Sequence, residues 1–152
     1  NGKKYRKIEK TKEVKLAAMI PVGQELETTG NSVNIANFIY SSTAGMALPW
    51  LILMVLVITM FVSDIVNNAA TAVIMAPIAA NLAIQVGQPV EPFLMAVAVG
   101  ASCAFLSPIG HQCNTLVMAP GNYKFGDYWR LGLPLECVIV AISIPMILFV
   151  WT

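Results

Sequence analysis

Apolar residues follow one another in long runs along most of the chain, and polar residues collect at a few short positions between them. The longest run covers residues 47–66, and a second run at 69–86 follows after a short polar link. Further runs cover 90–106 and 133–151. Because a helix needs about 20 mostly apolar residues to cross a bilayer, this pattern predicts an all-α integral membrane protein.

The first two runs meet at a polar pair, Asn67-Asn68. We interpret this pair as the tip of a re-entrant helical hairpin over 47–86, with both ends on one side of the membrane. The alternative is an ordinary surface loop between two spanning helices. Backbone that leaves the helix at membrane depth has to be buried in protein or line a wet cavity, so the hairpin interpretation predicts a buried polar tip.

The third run is interrupted in a different way. Pro108 and Gly110 break the helical pattern, which resumes and then ends near residue 120. Proline removes a backbone donor and glycine favours non-helical backbone, so we predict an unwound transmembrane helix over 90–120. An interfacial segment at 121–132 and a last span at 133–152 complete the predicted order.

Composition and charge support a membrane location. Apolar residues make up 57% of the chain and charged residues 11%, against about 25% charged residues in typical soluble proteins. Most of the Lys and Arg residues fall in 1–15, which could bind nucleic acid but fits the positive-inside rule better. We therefore expect a basic cytoplasmic linker at 1–15, a transmembrane part at 16–152, contact with membrane lipid and no nucleic-acid partner.

Lys124 and Arg130 are the next basic residues along the chain. Short segments rich in Lys and Arg stay in the cytoplasm. We therefore expect both residues on the cytoplasmic side, and a last span that runs outward. This multi-pass topology leaves the N-terminus in the cytoplasm and the C-terminus outside.

The two breaks carry the residues with usable chemistry. Free N–H groups at a half-helix attract anions, and free carbonyl groups bind Na⁺. Neutral amide and hydroxyl groups can bind a desolvated ion or a carboxylate without a buried opposite charge. Such groups stand at both breaks: Asn67, Asn68, Thr71, Asn114 and Thr115.

Two titratable residues also lie near the breaks. Asp64 could cap a helix, although a carboxylate near membrane depth indicates function by default. His111 could relay protons, or it could be a loop residue that hydrogen-bonds the broken backbone. Ser107, His111 and Asp64 are the residue types of a hydrolase triad, but no Gly-x-Ser-x-Gly elbow is present. We therefore expect no enzyme.

The sequence resembles a known family at these motifs. The tip reads SDIVNNAATA at 63–72, followed by MAP at 75–77, and the unwound stretch reads SPIGHQCNTLV at 107–117. A third match is PGNYKFGDYWR at 120–130. Over about 17–152 the chain resembles the divalent anion:sodium symporter family of the ion transporter superfamily. It is most similar to bacterial permeases that carry a cytosolic regulatory domain of the potassium-uptake type.

The resemblance implies an inverted-repeat transporter with an elevator mechanism, usually a homodimer, in the cell inner membrane. This chain would be its C-terminal repeat, and the N-terminal repeat of the same transporter would be its partner. The chain begins with Asn1 rather than Met, which also leads us to expect a fragment of a longer protein.

The resemblance further implies a site. The family has a Ser-Asn-Thr-like signature at the hairpin tip, where this chain has Asn67-Asn68-Ala69. The expected substrate-binding residues are Asn67, Asn68, Ala69, Thr71, Asn114 and Thr115. The expected sodium ligands, partly through backbone carbonyls, are Asn68, Ser107, Pro108 and Asn114.

The predicted function is sodium-coupled uptake of a small divalent anion, either a dicarboxylate or sulfate, with Na⁺ as the coupling ion and no cofactor. One alternative is a cation/proton antiporter of related architecture that titrates Asp64 and His111. The other is a membrane fragment that transports nothing and serves only in assembly. Dependence of transport on a sodium or a proton gradient separates the first two.

Overall fold

A computed structural model describes residues 21, 25, 28–43 and 46–151, without the side chains at 42, 43 and 112. The predicted basic linker at 1–15 lies outside the described residues. All regular structure within the described ranges is helical, which confirms the predicted all-α class. Its helices are α1 (Asn31–Thr43), α2 (Leu48–Ile65), α3 (Asn68–Val86), α4 (Glu91–Ser102), α5 (Gln112–Met118) and α6 (Phe125–Trp151).

In the described part of the chain, three helices are long and apolar enough to cross a membrane. They are α2, α3 and α6, with mean hydropathies of 2.2, 1.7 and 2.4. At a rise of about 1.5 Å per residue, the 18 residues of α2 and the 19 of α3 would each span just under 30 Å. These three helices support a membrane protein.

Helices α2 and α3 are joined by only Val66 and Asn67. Val66 has extended backbone angles, φ −105° and ψ 161°, which end α2. Asn67 is also extended, and its side chain caps α3 by accepting a hydrogen bond from the Ala70 N–H at 2.9 Å. At its other end α3 stops at Gly87, whose φ of 70° is left-handed, a conformation that glycine adopts without strain.

Helix α4 packs against both α2 and α3 and completes the main core with them. Ile52, Leu56, Leu82 and Phe93 are fully buried there. Gly100 permits the close approach of α4 to α2, because a Cβ at this position would lie 2.9 Å from the Leu56 carbonyl oxygen. On the far side of α3, Asn81 Nδ2 donates to the Ser32 hydroxyl at 3.3 Å and thereby ties α1 to the core.

The sequence around Pro108 leaves the helical path. Helix α4 ends at Ser102 and α5 begins at Gln112, and we call residues 103–111 between them the unwound segment. Helix α6 begins within the predicted interfacial segment, at Phe125, and continues through the predicted last span to Trp151. Its residues contact α2 and α4, but most of its surface is exposed.

Candidate functional site

The hairpin tip, residues 63–68, is tied to the C-terminal end of α4. The hydroxyl of Ser63 donates to the Ala101 carbonyl at 2.8 Å, and it also lies 3.1 Å from Asn68 Oδ1. Ser63 itself is fully buried. The carbonyl end of α4 and the N–H end of α3 therefore meet at one place, which gives this place both anion-binding and cation-binding polarity.

Asp64 joins the tip to the unwound segment. Its Oδ1 accepts the Leu106 N–H at 3.0 Å, and its backbone carbonyl accepts the Ser107 hydroxyl at 2.5 Å. Asp64 is only 6% exposed, and its second carboxyl oxygen, Oδ2, is buried without a hydrogen-bond partner. Two segments about forty residues apart in sequence thus form one structural unit.

Gly110 lies where the backbones of these two segments pack closely. A Cβ at this position would lie 2.7 Å from the Ser63 carbonyl oxygen and 2.7 Å from the Cβ of Ala104. A side chain at position 110 would therefore push the tip away from the unwound segment. The φ of Gly110 is not positive, so glycine is not needed here for a left-handed backbone. It is needed because it has no side chain.

Asn114 and Thr115 fold back from α5 onto the unwound segment. Asn114 Nδ2 donates to the carbonyls of Ala104 at 2.9 Å and of Ser107 at 3.2 Å. The Thr115 hydroxyl donates to the Pro108 carbonyl at 2.6 Å. A carbonyl oxygen has two lone pairs, so Ser107 and Pro108 each keep one for another ligand. Asn114 Oδ1 likewise remains available as an acceptor.

The other predicted substrate residues lie in the first turn of α3 or at its cap. Asn67 uses its side-chain oxygen to cap the helix, and both Asn67 and Ala69 are exposed, so the buried polar tip expected from the sequence is not found at Asn67. Thr71 is fully buried, and its hydroxyl has no hydrogen-bond partner. The structure therefore brings the tip, the unwound segment and Asn114 together, but gives Asn67 and Thr115 structural hydrogen bonds of their own.

His111 has a structural role at the start of α5. Its Nδ1 accepts the Cys113 N–H at 3.2 Å, and its side chain is exposed. This contact caps the first turn of α5. Asp64 is hydrogen-bonded to Leu106 and Ser107 rather than to His111, so the three residue types of a hydrolase triad do not form one.

Metal ligation by charged side chains finds no support in the described ranges. Within them, no group of three or more His, Cys, Asp or Glu side chains could hold a metal ion. Of the cysteines, Cys103 is buried in the unwound segment, and Cys113 and Cys137 are exposed and free.

Sequence reasoning missed the contribution of α6. The Tyr128 hydroxyl donates to the Asn114 carbonyl at 2.7 Å. A Cβ at Gly132 would lie 2.5 Å from the Phe105 carbonyl oxygen, so the two backbones touch. Glu136 has one buried carboxyl oxygen, Oε1, without a partner. The spacing of 128, 132 and 136, four residues apart on one helix, was the available signal.

Comparison with known proteins gives the family. The family model described as "Citrate transporter" matches residues 14–152. An uncharacterized transporter of Synechocystis sp. is 36% identical over 132 residues, which is 87% of this chain and 21% of that protein. The uncharacterized transporter YfbS of Escherichia coli is 33% identical over 143 residues, which is 94% of this chain and 23% of that protein.

A third relative has a more specific name. The probable sodium/sulfate cotransporter 3 of Chlamydomonas reinhardtii is 33% identical over 130 residues, covering 84% of this chain and 14% of that protein. The chain thus spans less than a quarter of the length of each of these relatives. Together with the apolar helices and the motifs at both breaks, these matches show that the chain belongs to the citrate transporter family, among the divalent anion:sodium symporters.

Proposed function

We propose that the transporter containing this chain couples sodium entry to the uptake of a small divalent anion, either a dicarboxylate or sulfate. One observation carries the proposal: Asp64 holds the hairpin tip against the unwound segment through its hydrogen bonds with Leu106 and Ser107. The neutral oxygen and amide groups of both breaks therefore surround one locus. The family match and the sodium/sulfate relative support the choice of ions.

We assign the sodium ligands to both sides of this locus. Na⁺ is a hard cation that prefers oxygen ligands, as Ca²⁺ and Mg²⁺ do. The proposed ligands are the side chains of Asn68 and Asn114 and the carbonyls of Val66, Ser107 and Pro108. Neutral ligands bind sodium weakly enough for release, which transport requires.

The substrate anion would bind beside the sodium ion. The first turn of α3 has N–H groups without helical partners, and these favour negative charge. Asn67, Asn68, Ala69 and Thr71 are the proposed contacts from α3, and Asn114 and Thr115 those from α5. The partnerless buried hydroxyl of Thr71 supports this assignment, because a buried donor without a partner is costly.

We also propose that the hairpin is re-entrant and that its tip lies at mid-depth in the membrane. Length alone would let α2 and α3 cross fully. Their joined ends, however, carry buried polar side chains, Ser63, Asp64 and Thr71, which pack against protein rather than water. This burial is what a tip inside the membrane requires.

The remaining proposals concern the whole transporter. The chain would be the C-terminal repeat, paired with an inverted N-terminal repeat, in a homodimer of the inner membrane. Lys124 directly precedes α6 and Arg130 lies in its second turn; the positive-inside rule supports a cytoplasmic location for this end. The apolar residues exposed along α6 are available to lipid and to the rest of the assembly.

Sodium-dependent anion uptake into vesicles tests the proposed site. In the complete transporter, Asn68→Ala removes a sodium ligand, and we expect it to weaken sodium coupling by about 1–3 kcal/mol. Asn81→Ala is the matched control, because Asn81 bonds to Ser32 and Pro77 at the far end of α3. The control should keep the wild-type sodium dependence.

The same assay separates sodium coupling from the antiporter alternative. Sodium coupling would be contradicted by three results together. A proton gradient would drive uptake, Asn68→Ala would leave the sodium dependence of uptake unchanged, and Asp64→Asn would abolish uptake. If sodium drives transport, Asp64→Asn should have the smaller effect, because Asn keeps an oxygen that can accept the Leu106 N–H.

A further inference from the structure

Helix α6 has two very different faces. Most of its side chains are exposed, with Leu131 at 76% and Phe149 at 91%. Tyr128 and Glu136 are partly buried, and Gly132 is buried. These three residues are four positions apart and lie on one face, which we call the bracing face.

The bracing face contacts the broken helix on both sides of the break. At its N-terminal end, Tyr128 donates a hydrogen bond to the Asn114 carbonyl in α5. In the middle, the backbone of Gly132 lies directly against the carbonyl of Phe105 in the unwound segment. One helix thereby contacts both α5 and the start of the unwound segment.

Glu136 extends this contact toward the C-terminal end of α4. Its side chain lines the same cavity as Leu106, whose N–H is bound from the hairpin by Asp64. Residues of two different helices, α2 and α6, thus lie beside the unwound segment. Nine residues of non-helical backbone, 103–111, are therefore supported from the hairpin and from α6.

We propose that the bracing face of α6 positions the unwound segment and thereby sets the affinity of the transporter for its coupling sodium ion. We assign Tyr128, Gly132 and Glu136 a positioning role, since Tyr128 and Gly132 contact the backbone of α5 and of the unwound segment and Glu136 lies beside Leu106. The proposal rests on the proposed sodium site. The physical reason is that a cation site made of carbonyls depends on the placement of backbone atoms, and most of the hydrogen bonds that hold this backbone come from outside the unwound segment.

Three variants with matched controls test the proposal in the complete transporter. Tyr128→Phe removes the hydrogen bond, and Tyr123→Phe is its control. Gly132→Ala forces the backbones apart, and Gly126→Ala is its control because nothing lies within 4 Å of a Cβ there. Glu136→Leu removes the carboxyl group, whereas Glu136→Gln keeps a polar side chain of nearly the same size at this position.

The first readout is the sodium concentration for half-maximal anion uptake, measured separately from the maximal rate per folded transporter. For each of the three variants we expect it to rise about 2- to 10-fold, as for the loss of one hydrogen bond. The maximal rate should stay near that of the wild type. A general loss of structure would instead lower the maximal rate and the amount of folded protein without shifting the sodium dependence.

The second readout does not depend on transport. Cys103 lies in the unwound segment and is 5% exposed. In a background with every other cysteine replaced by serine, its reaction with a small thiol reagent reports displacement of the segment. We expect faster labelling of Cys103 in the three variants and the wild-type rate in the three controls.

The outcomes distinguish this proposal from the proposed function. Unchanged Cys103 labelling in the three variants would overturn the positioning role. Faster labelling of Cys103 without any change in the sodium or substrate concentration for half-maximal uptake would overturn the link between positioning and sodium affinity. If wild-type uptake proves independent of sodium, the proposed function fails. In that case the positioning role stands if both the labelling rate of Cys103 and the substrate concentration for half-maximal uptake change in the three variants. It falls if either quantity stays unchanged.

Discussion

The two breaks in the apolar pattern are held together in different ways. The hairpin break consists of Val66 and Asn67, and its hydrogen bonds join residues that are only three or four positions apart in the sequence. The Val66 N–H donates to the Val62 carbonyl at 2.8 Å, and Asn67 caps the Ala70 N–H at 2.9 Å. Most backbone N–H and carbonyl groups of this break would keep their hydrogen bonds even if the neighbouring helices moved away.

The unwound segment depends on other parts of the molecule. Leu106 is bound by Asp64 from α2, and the carbonyls of Ala104 and Ser107 are bound by Asn114 from α5. Ser107 is the internal exception, since its hydroxyl also accepts the N–H groups of Ile109 and Gly110 at 3.2 Å. A short break can be stabilised by local sequence, whereas a long one requires the assembled fold.

The largest effect is expected where the two breaks touch. In Gly110→Ala the new Cβ meets the Ser63 carbonyl oxygen and Ala104 at 2.7 Å. Overpacking of this kind costs about 1–3 kcal/mol, and here it also separates the tip from the unwound segment. We expect lower thermal stability in detergent and loss of sodium-dependent uptake.

Gly126→Ala provides the control for this experiment, because its Cβ would stand in open space. It should leave both stability and uptake close to those of the wild type. Full transport activity of the Gly110→Ala variant would contradict the close contact between the two breaks. It would also contradict the proposed sodium site, which requires that contact.

A smaller effect is expected when the long break loses one distant partner. Asp64→Ala leaves the Leu106 N–H without its acceptor, at a cost of about 1–3 kcal/mol for an unsatisfied buried group. Part of this loss is offset, because the buried and partnerless Oδ2 of Asp64 disappears as well. Thermal unfolding of the purified transporter in detergent measures the net result.

Asp64→Asn sharpens the interpretation of that result. Its amide oxygen can still accept the Leu106 N–H, so the variant should be clearly more stable than Asp64→Ala. Equal destabilisation by both substitutions would show that the charge of Asp64, rather than its hydrogen bond, holds the unwound segment.

The sequence predicted the parts of this arrangement that depend on local chemistry. The apolar runs predicted helices, Asn67-Asn68 predicted the position of the tip, and Pro108 with Gly110 marked the second break. Each of these signals lies within the residues that it describes. The all-α class follows directly from the apolar runs, whose lengths and boundaries can be read from the sequence.

The contacts across the molecule were not accessible in the same way. Nothing near Asp64 in the sequence indicates that its partner is Leu106. Composition divided 121–132 from 133–152, because charged and aromatic residues give way to apolar ones, yet one helix, Phe125–Trp151, runs across the boundary between them. Such partners are set by how α2, α4 and α6 pack, and a single sequence shows the faces of helices but not which faces meet.

The smallest effect is expected at the hairpin break, where the support is local. Asn67→Ala removes the cap of α3, which typically costs about 1 kcal/mol. Asn67→Asp keeps an acceptor for the Ala70 N–H and adds a negative charge that the N-terminus of a helix favours, so it should match the wild type in stability. Unfolding by added sodium dodecyl sulfate compares the two variants with Gly110→Ala. A loss in Asn67→Ala as large as that in Gly110→Ala would show that the tip is not locally supported, and equal losses in the Ala and Asp variants would exclude capping as the cause.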